Sequence, residues 1–120
     1  MKYLLYGNTF YTFLLGLLFV LFPFVIFDPM SEAAKGLARV LGFAIVSMGF
    51  LSLIMSRMMN NKQAVLLGLF TLATFHAGFT ITQVVNSLQH LVPAIVPFIS
   101  GLFMVTFIYF TRIEMKQLRG

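Results

Sequence analysis

The chain has 120 residues, of which 60% are hydrophobic and 9% charged, with no cysteine and a formal net charge of +5. A water-soluble domain carries about 25% charged residues, so this composition excludes a soluble globular domain, a nucleic-acid-binding domain and a disordered tail. Without cysteine there is no disulfide, thiolate metal site or cysteine nucleophile.

Charges occur at Lys2, from Asp28 to Arg39, at Arg57 and Lys62, and from Arg112 to Arg119, leaving uncharged runs of 25, 17 and 49 residues. A membrane-spanning helix needs about 20 mainly apolar residues. The first run predicts one span over about 4–27, with Asn8, Thr9 and Thr12 near its start and Pro23 near its end. The apolar stretch Thr9 to Phe27 is longer than the roughly 7–15 residues of a signal-peptide core, and the small residues around Ser31 and Ala33 come late. A retained first span is the expectation, with a cleaved signal as the alternative. Asp28-Pro29 reads as an N-cap followed by proline at the first helical position. Met30 to Ala38 reads as an interfacial helix running into a second span over about 37–57, from which Arg39 snorkels. Asn60-Asn61-Lys62 is a turn signal. The 49-residue run suits two spans, about 63–86 and 92–111, broken where Asn86, Ser87, Gln89 and His90 cluster before Pro93. A polar, basic tail follows from Arg112. The predicted fold class is all-α: a polytopic membrane protein, a four-transmembrane-helix bundle, in a single membrane domain over 1–120.

Four spans put both termini on one side. That side gathers Lys2, Arg57, Lys62, Arg112, Lys116 and Arg119, against Lys35 and Arg39 opposite. The positive-inside rule then predicts cytoplasmic termini, and the setting expected is a bacterial plasma (inner) membrane.

The third span holds the most polar pattern. His76, Thr80, Gln83, Ser87 and His90 recur at spacings of 4, 3, 4 and 3, one face of a helix, with Asn86 beside it. Polar groups in hydrocarbon need partners, so this face should look into the bundle or at a partner. Two readings stand: a ligand site or polar cavity open toward the outer side, or hydrogen bonds that hold the bundle together. An ionisable group near mid-membrane favours function at His76. His76 and His90 are 14 residues apart, about 21 Å along a helix, so they cannot share one ion or haem. The acids, Asp28, Glu32 and Glu114, all fall at membrane edges, and no cofactor or metal is expected. Arg39 either clamps an anionic headgroup or carboxylate, or is a snorkelling boundary residue. Asn8, Thr12 and Gly16 share a face of the first span, Gly42 and Gly49 of the second, and Pro97 and Gly101 of the fourth. These read as close-packing seams. A broken-helix ion site at Pro93 or Pro97 is the alternative there. No acid pair, Ser-His-Asp set or phosphate loop is present, so no catalytic residue is assigned and the reading leans toward a non-enzymatic protein.

The segment from Gly16 to Pro23, followed by Arg39, Gly42 and Gly49, resembles DoxX-like and related small four-span bacterial membrane proteins. The resemblance covers about half the chain and implies an architecture rather than an activity. Small multidrug transporters are similar in length, but they carry a membrane-embedded acid in the first span, and none lies between Lys2 and Asp28. Fluoride channels are faintly similar at Phe75, Gly78, Phe79, Thr80 and Thr82, without the wider motif.

The function expected is that of a small integral membrane protein acting as a non-enzymatic subunit, scaffold or lipid- or partner-binding module, through His76, Thr80, Gln83, Asn86, His90 and Arg39. Its partners would be the lipid bilayer and a second copy or another membrane protein, with no nucleic acid. A homodimeric small transporter or channel using the polar face of the third span is one alternative; a quinone- or lipid-binding oxidoreductase component is another.

Overall fold

The structure, a computed structural model, describes residues 1–22, 32–90 and 92–120, and of residues 32 and 33 only the backbone. Four α-helices occupy these residues: α1 (Lys2–Leu21), α2 (Glu32–Arg57), α3 (Lys62–Leu88) and α4 (Ile95–Arg119). No strand occurs among the described residues. All four helices are long and apolar enough to cross a membrane. The 20 residues of α1 extend about 30 Å, the thickness of a bilayer's hydrocarbon core. Large apolar side chains such as Phe10, Leu37, Phe43, Leu67, Phe98 and Val105 point outward and are more than half exposed. In water that surface would drive association; in a bilayer it is the lipid-facing belt.

The expected segmentation holds in number. The predicted cap at Asp28-Pro29 lies outside the described residues. Helix α2 is continuous from Glu32 through Arg39 into the second span, as the sequence suggested. At its far side Asn61 caps α3: its side-chain oxygen accepts from the Ala64 amide at 3.1 Å. Helix α4 runs on to Arg119, well past the predicted span end at 111. The residues after Thr111 include Glu, Met, Lys, Gln, Leu and Arg, all good helix formers, and Lys116 and Arg119 face the negative end of the helix dipole. Pro97 breaks nothing. It stands in the first turn of α4, where a missing N–H removes only a donor that has no intrahelical acceptor.

The chain divides into two compact units, 2–53 and 54–120. In the first, α1 packs on α2 through small residues. Gly16 and Gly42 face each other, and Gly49 takes the side chains of Thr12 and Phe13. Asn8 Nδ2 donates to Ser52 Oγ at 2.6 Å, both fully buried. Thr9 Oγ1 donates to the Gly49 carbonyl at 3.2 Å. The seams read from Asn8, Thr12 and Gly16 and from Gly42 and Gly49 are thus the two sides of one contact. In the second unit, Met55 from the last turn of α2 fills the place that a side chain on Gly68 of α3 would take. Leu69, Leu72, Phe79 and Phe107 are buried there. Lys62 and Glu114 form an ion pair at 3.4 Å, joining the start of α3 to the end of α4.

Most threonines on these helices bond to their own backbone. Thr71, Thr74, Thr82, Thr106 and Thr111 each donate to the carbonyl four residues earlier, at 2.7 to 2.9 Å.

Candidate functional site

His76 stands at the middle of α3 and is fully buried. Its Nδ1 lies 3.0 Å from Ser100 Oγ on α4. Thr80, one turn further along α3, donates to the same Ser100 oxygen at 3.1 Å. The imidazole stacks with Phe103 and Phe107, ring centroids 5.4 and 5.6 Å away and planes within 22° and 21° of parallel. Phe75 meets it edge-on at 5.2 Å. This is a satisfied polar cluster in an aromatic setting, and it ties α3 to α4 at mid-height.

Ser100 is the member that sequence reasoning missed. A lone serine in an apolar helix carries little signal. Its place between Pro97 and Gly101, on a face already read as a seam, is the clue that was present.

The outer part of the face is built differently. Gln83, two turns beyond His76, is fully buried. Its Oε1 receives a long bond of 3.4 Å from Asn86 Nδ2, and its Nε2 has no hydrogen-bond partner among the described residues. Buried polar groups nearly always have a partner, and an unmade bond of this kind costs about 1–3 kcal/mol. Asn86 is half-buried and leads from Gln83 toward the end of the helix.

His90 does not join this group. Its side chain is exposed and its backbone has a φ of 57°. With its amide bonded to the Ser87 carbonyl at 3.0 Å, it occupies the left-handed position that ends a helix and usually belongs to glycine. Arg39 is exposed on α2, in the other unit. The structure therefore joins His76 and Thr80 through Ser100, pairs Gln83 with Asn86, and gives His90 a helix-ending role.

No group of three or more metal-type ligands occurs among the described residues. No protein family, no curated protein and no solved structure matches the chain.

Proposed function

We propose that the chain is a small non-enzymatic integral membrane protein, a subunit, scaffold or lipid- or partner-binding module, that recognises its ligand at the outer part of α3. The buried amide of Gln83, with an unused donor, carries this reading. The His76, Thr80 and Ser100 cluster shows how this hairpin deals with polar groups that serve packing: each has a partner on the facing helix. Gln83 departs from that pattern. Its free donor fits an acceptor from outside the chain, such as a lipid ester carbonyl, a hydroxyl, or a carbonyl of a partner helix, entering past Asn86. A second copy of the chain belongs to the same class of partner. Gly42 and Gly49 already face α1 within the hairpin, so the contact with such a copy would rest on other residues.

The stacked, hydrogen-bonded state of His76 speaks for a packing role rather than for a lining of a transport path.

Gln83→Leu tests the reading. The variant removes a donor that has no partner and an acceptor held only by the long 3.4 Å bond from Asn86, so the thermal midpoint stays nearly unchanged or rises, while lipids or proteins that co-purify with the wild type, identified by mass spectrometry, are lost. A lowered midpoint with unchanged co-purification overturns the proposal in favour of packing.

In the orientation that goes with this reading, both termini are cytoplasmic, supported by the distribution of basic residues. The chain lacks cysteine, so single-cysteine labelling is clean. An impermeant reagent outside the cell is expected to label Ser31→Cys and spare Asn61→Cys; the opposite pattern reverses the orientation.

A further inference from the structure

A groove of about 300 Å³ runs along one side of the α3–α4 hairpin, from mid-height toward the end where Lys62 meets Glu114. Phe70, Ala73 and Ala77 line it from α3, and Ile108 and Met115 from α4. Thr74 and Thr111 also reach it, but both hydroxyls donate to their own helix, so its walls offer no free donor. Arg112 stands at its mouth, and a second hollow, lined by Arg112, Met115, Lys116 and Arg119, continues from it. None of these three cations has an ion pair or hydrogen bond among the described residues. Glu114, the acid in this stretch of sequence, is engaged with Lys62.

We infer that this groove binds one anionic phospholipid, an acyl chain lying between α3 and α4 and the phosphate resting on Arg112, Lys116 and Arg119. An apolar trough that opens onto unpaired cations matches an amphiphile with an anionic head. A soluble anion makes no use of the trough, and a zwitterionic lipid brings no net charge to the cations. The guanidinium of Arg112 presents a planar fork that suits phosphate oxygens, while Lys116 and Arg119 add charge along the same helix edge. The volume is at the small end of ligand pockets, which suits one chain of the lipid and leaves the other in the bilayer. The site shares no residue with the Gln83 region, so either can fail without the other.

Native mass spectrometry of the full chain in a neutral detergent, with equal amounts of phosphatidylglycerol and phosphatidylcholine of identical acyl chains, tests the inference. The wild type is expected to hold one phosphatidylglycerol in preference. Each cation near an anionic lipid contributes about fivefold, so the triple variant R112Q/K116Q/R119Q loses most of that preference. Ala77→Phe, which fills the groove and keeps every charge, loses it as well, and Thr74→Leu does the same in smaller measure. Helicity by circular dichroism confirms that each variant is folded; if the triple variant is not, Arg112→Gln alone carries the same expectation at reduced size. An unchanged lipid ratio in the charge variant overturns the inference. So does loss in the charge variant with full retention in both Ala77→Phe and Thr74→Leu, which identifies a diffuse attraction to basic residues without a groove.

Discussion

Gly16 and Gly42 meet backbone to backbone: a methyl group on either would come within 2.7 Å of the other's carbonyl oxygen. The contact is reciprocal, so neither helix can give way by rotating a side chain. Gly42→Ala is expected to destabilise the first hairpin by about 1–3 kcal/mol, the usual cost of overpacking. Gly78→Ala is the control. A methyl there has nothing within 4 Å, and alanine is favoured over glycine in a helix by up to about 1 kcal/mol. Thermal unfolding in detergent should move in opposite directions for the two variants; equal shifts would show that the close approach is absent.

Ser100 serves two residues of α3, which makes the energetics of the cluster non-additive. Ser100→Ala and His76→Phe each remove the 3.0 Å contact, but the second keeps an aromatic ring beside Phe103 and Phe107. Polar contacts in membrane bundles average about 0.6 kcal/mol. His76→Phe is therefore expected to lower stability by less than His76→Ala, and the double variant with Ser100→Ala by less than the sum of the singles. A double-mutant cycle read by thermal denaturation gives the coupling directly, and a coupling of zero removes the bond from the account.

Glu114 and Lys62 are unequal partners. The side chain of Glu114 is 6% exposed and that of Lys62 56%. An exposed ion pair contributes little by itself, but removing the exposed partner leaves a buried carboxylate uncompensated. Lys62→Met is thus expected to destabilise more than Glu114→Gln, and Lys62→Met with Glu114→Gln should recover much of the loss. Denaturation of the three variants at neutral pH checks the order; a larger loss for Glu114→Gln than for Lys62→Met contradicts it.

At His90 the backbone adopts a conformation that is costly for a residue with a side chain, by about 1–2 kcal/mol. His90→Gly is expected to raise stability by about 1 kcal/mol or less, since glycine enters the left-handed region freely but is also freer in the unfolded chain. Lipid or partner binding at Gln83 should be unaffected. A loss of binding in the glycine variant would return His90 to the recognition site.

The number of helices was legible because it depends only on run length and on the placement of charges. Which helix met which was not. The spacing of Gly42 and Gly49 announced a close approach, but nothing in it named α1 as the neighbour, since spacing describes one helix face and says nothing of what covers it. The polar, basic tail from Arg112 carried no expectation of secondary structure, because run length marks a span and not a helix; the structure makes it helical to Arg119, since Glu114, Lys116 and Arg119 are at home in a helix that has left the hydrocarbon. On α3 the pattern from His76 to His90 was read as one face. The structure divides it: Ser100 satisfies His76 and Thr80, Gln83 keeps an unused donor, and His90 turns the chain. That division comes from α4 and from the helix end, and a periodicity within α3 carries neither.

The self-bonded threonines change how the molecule looks to a neighbour drifting in the plane of the bilayer. Thr71, Thr74, Thr82 and Thr106 have each turned their hydroxyl proton onto their own helix. A passing helix or lipid finds there no proton to take, only the lone pairs of the hydroxyl oxygen. At these four positions the second hairpin offers a neighbour acceptors but no hydroxyl donor, despite its threonine content. A neighbour in need of a proton donor must look on this hairpin beyond these four threonines.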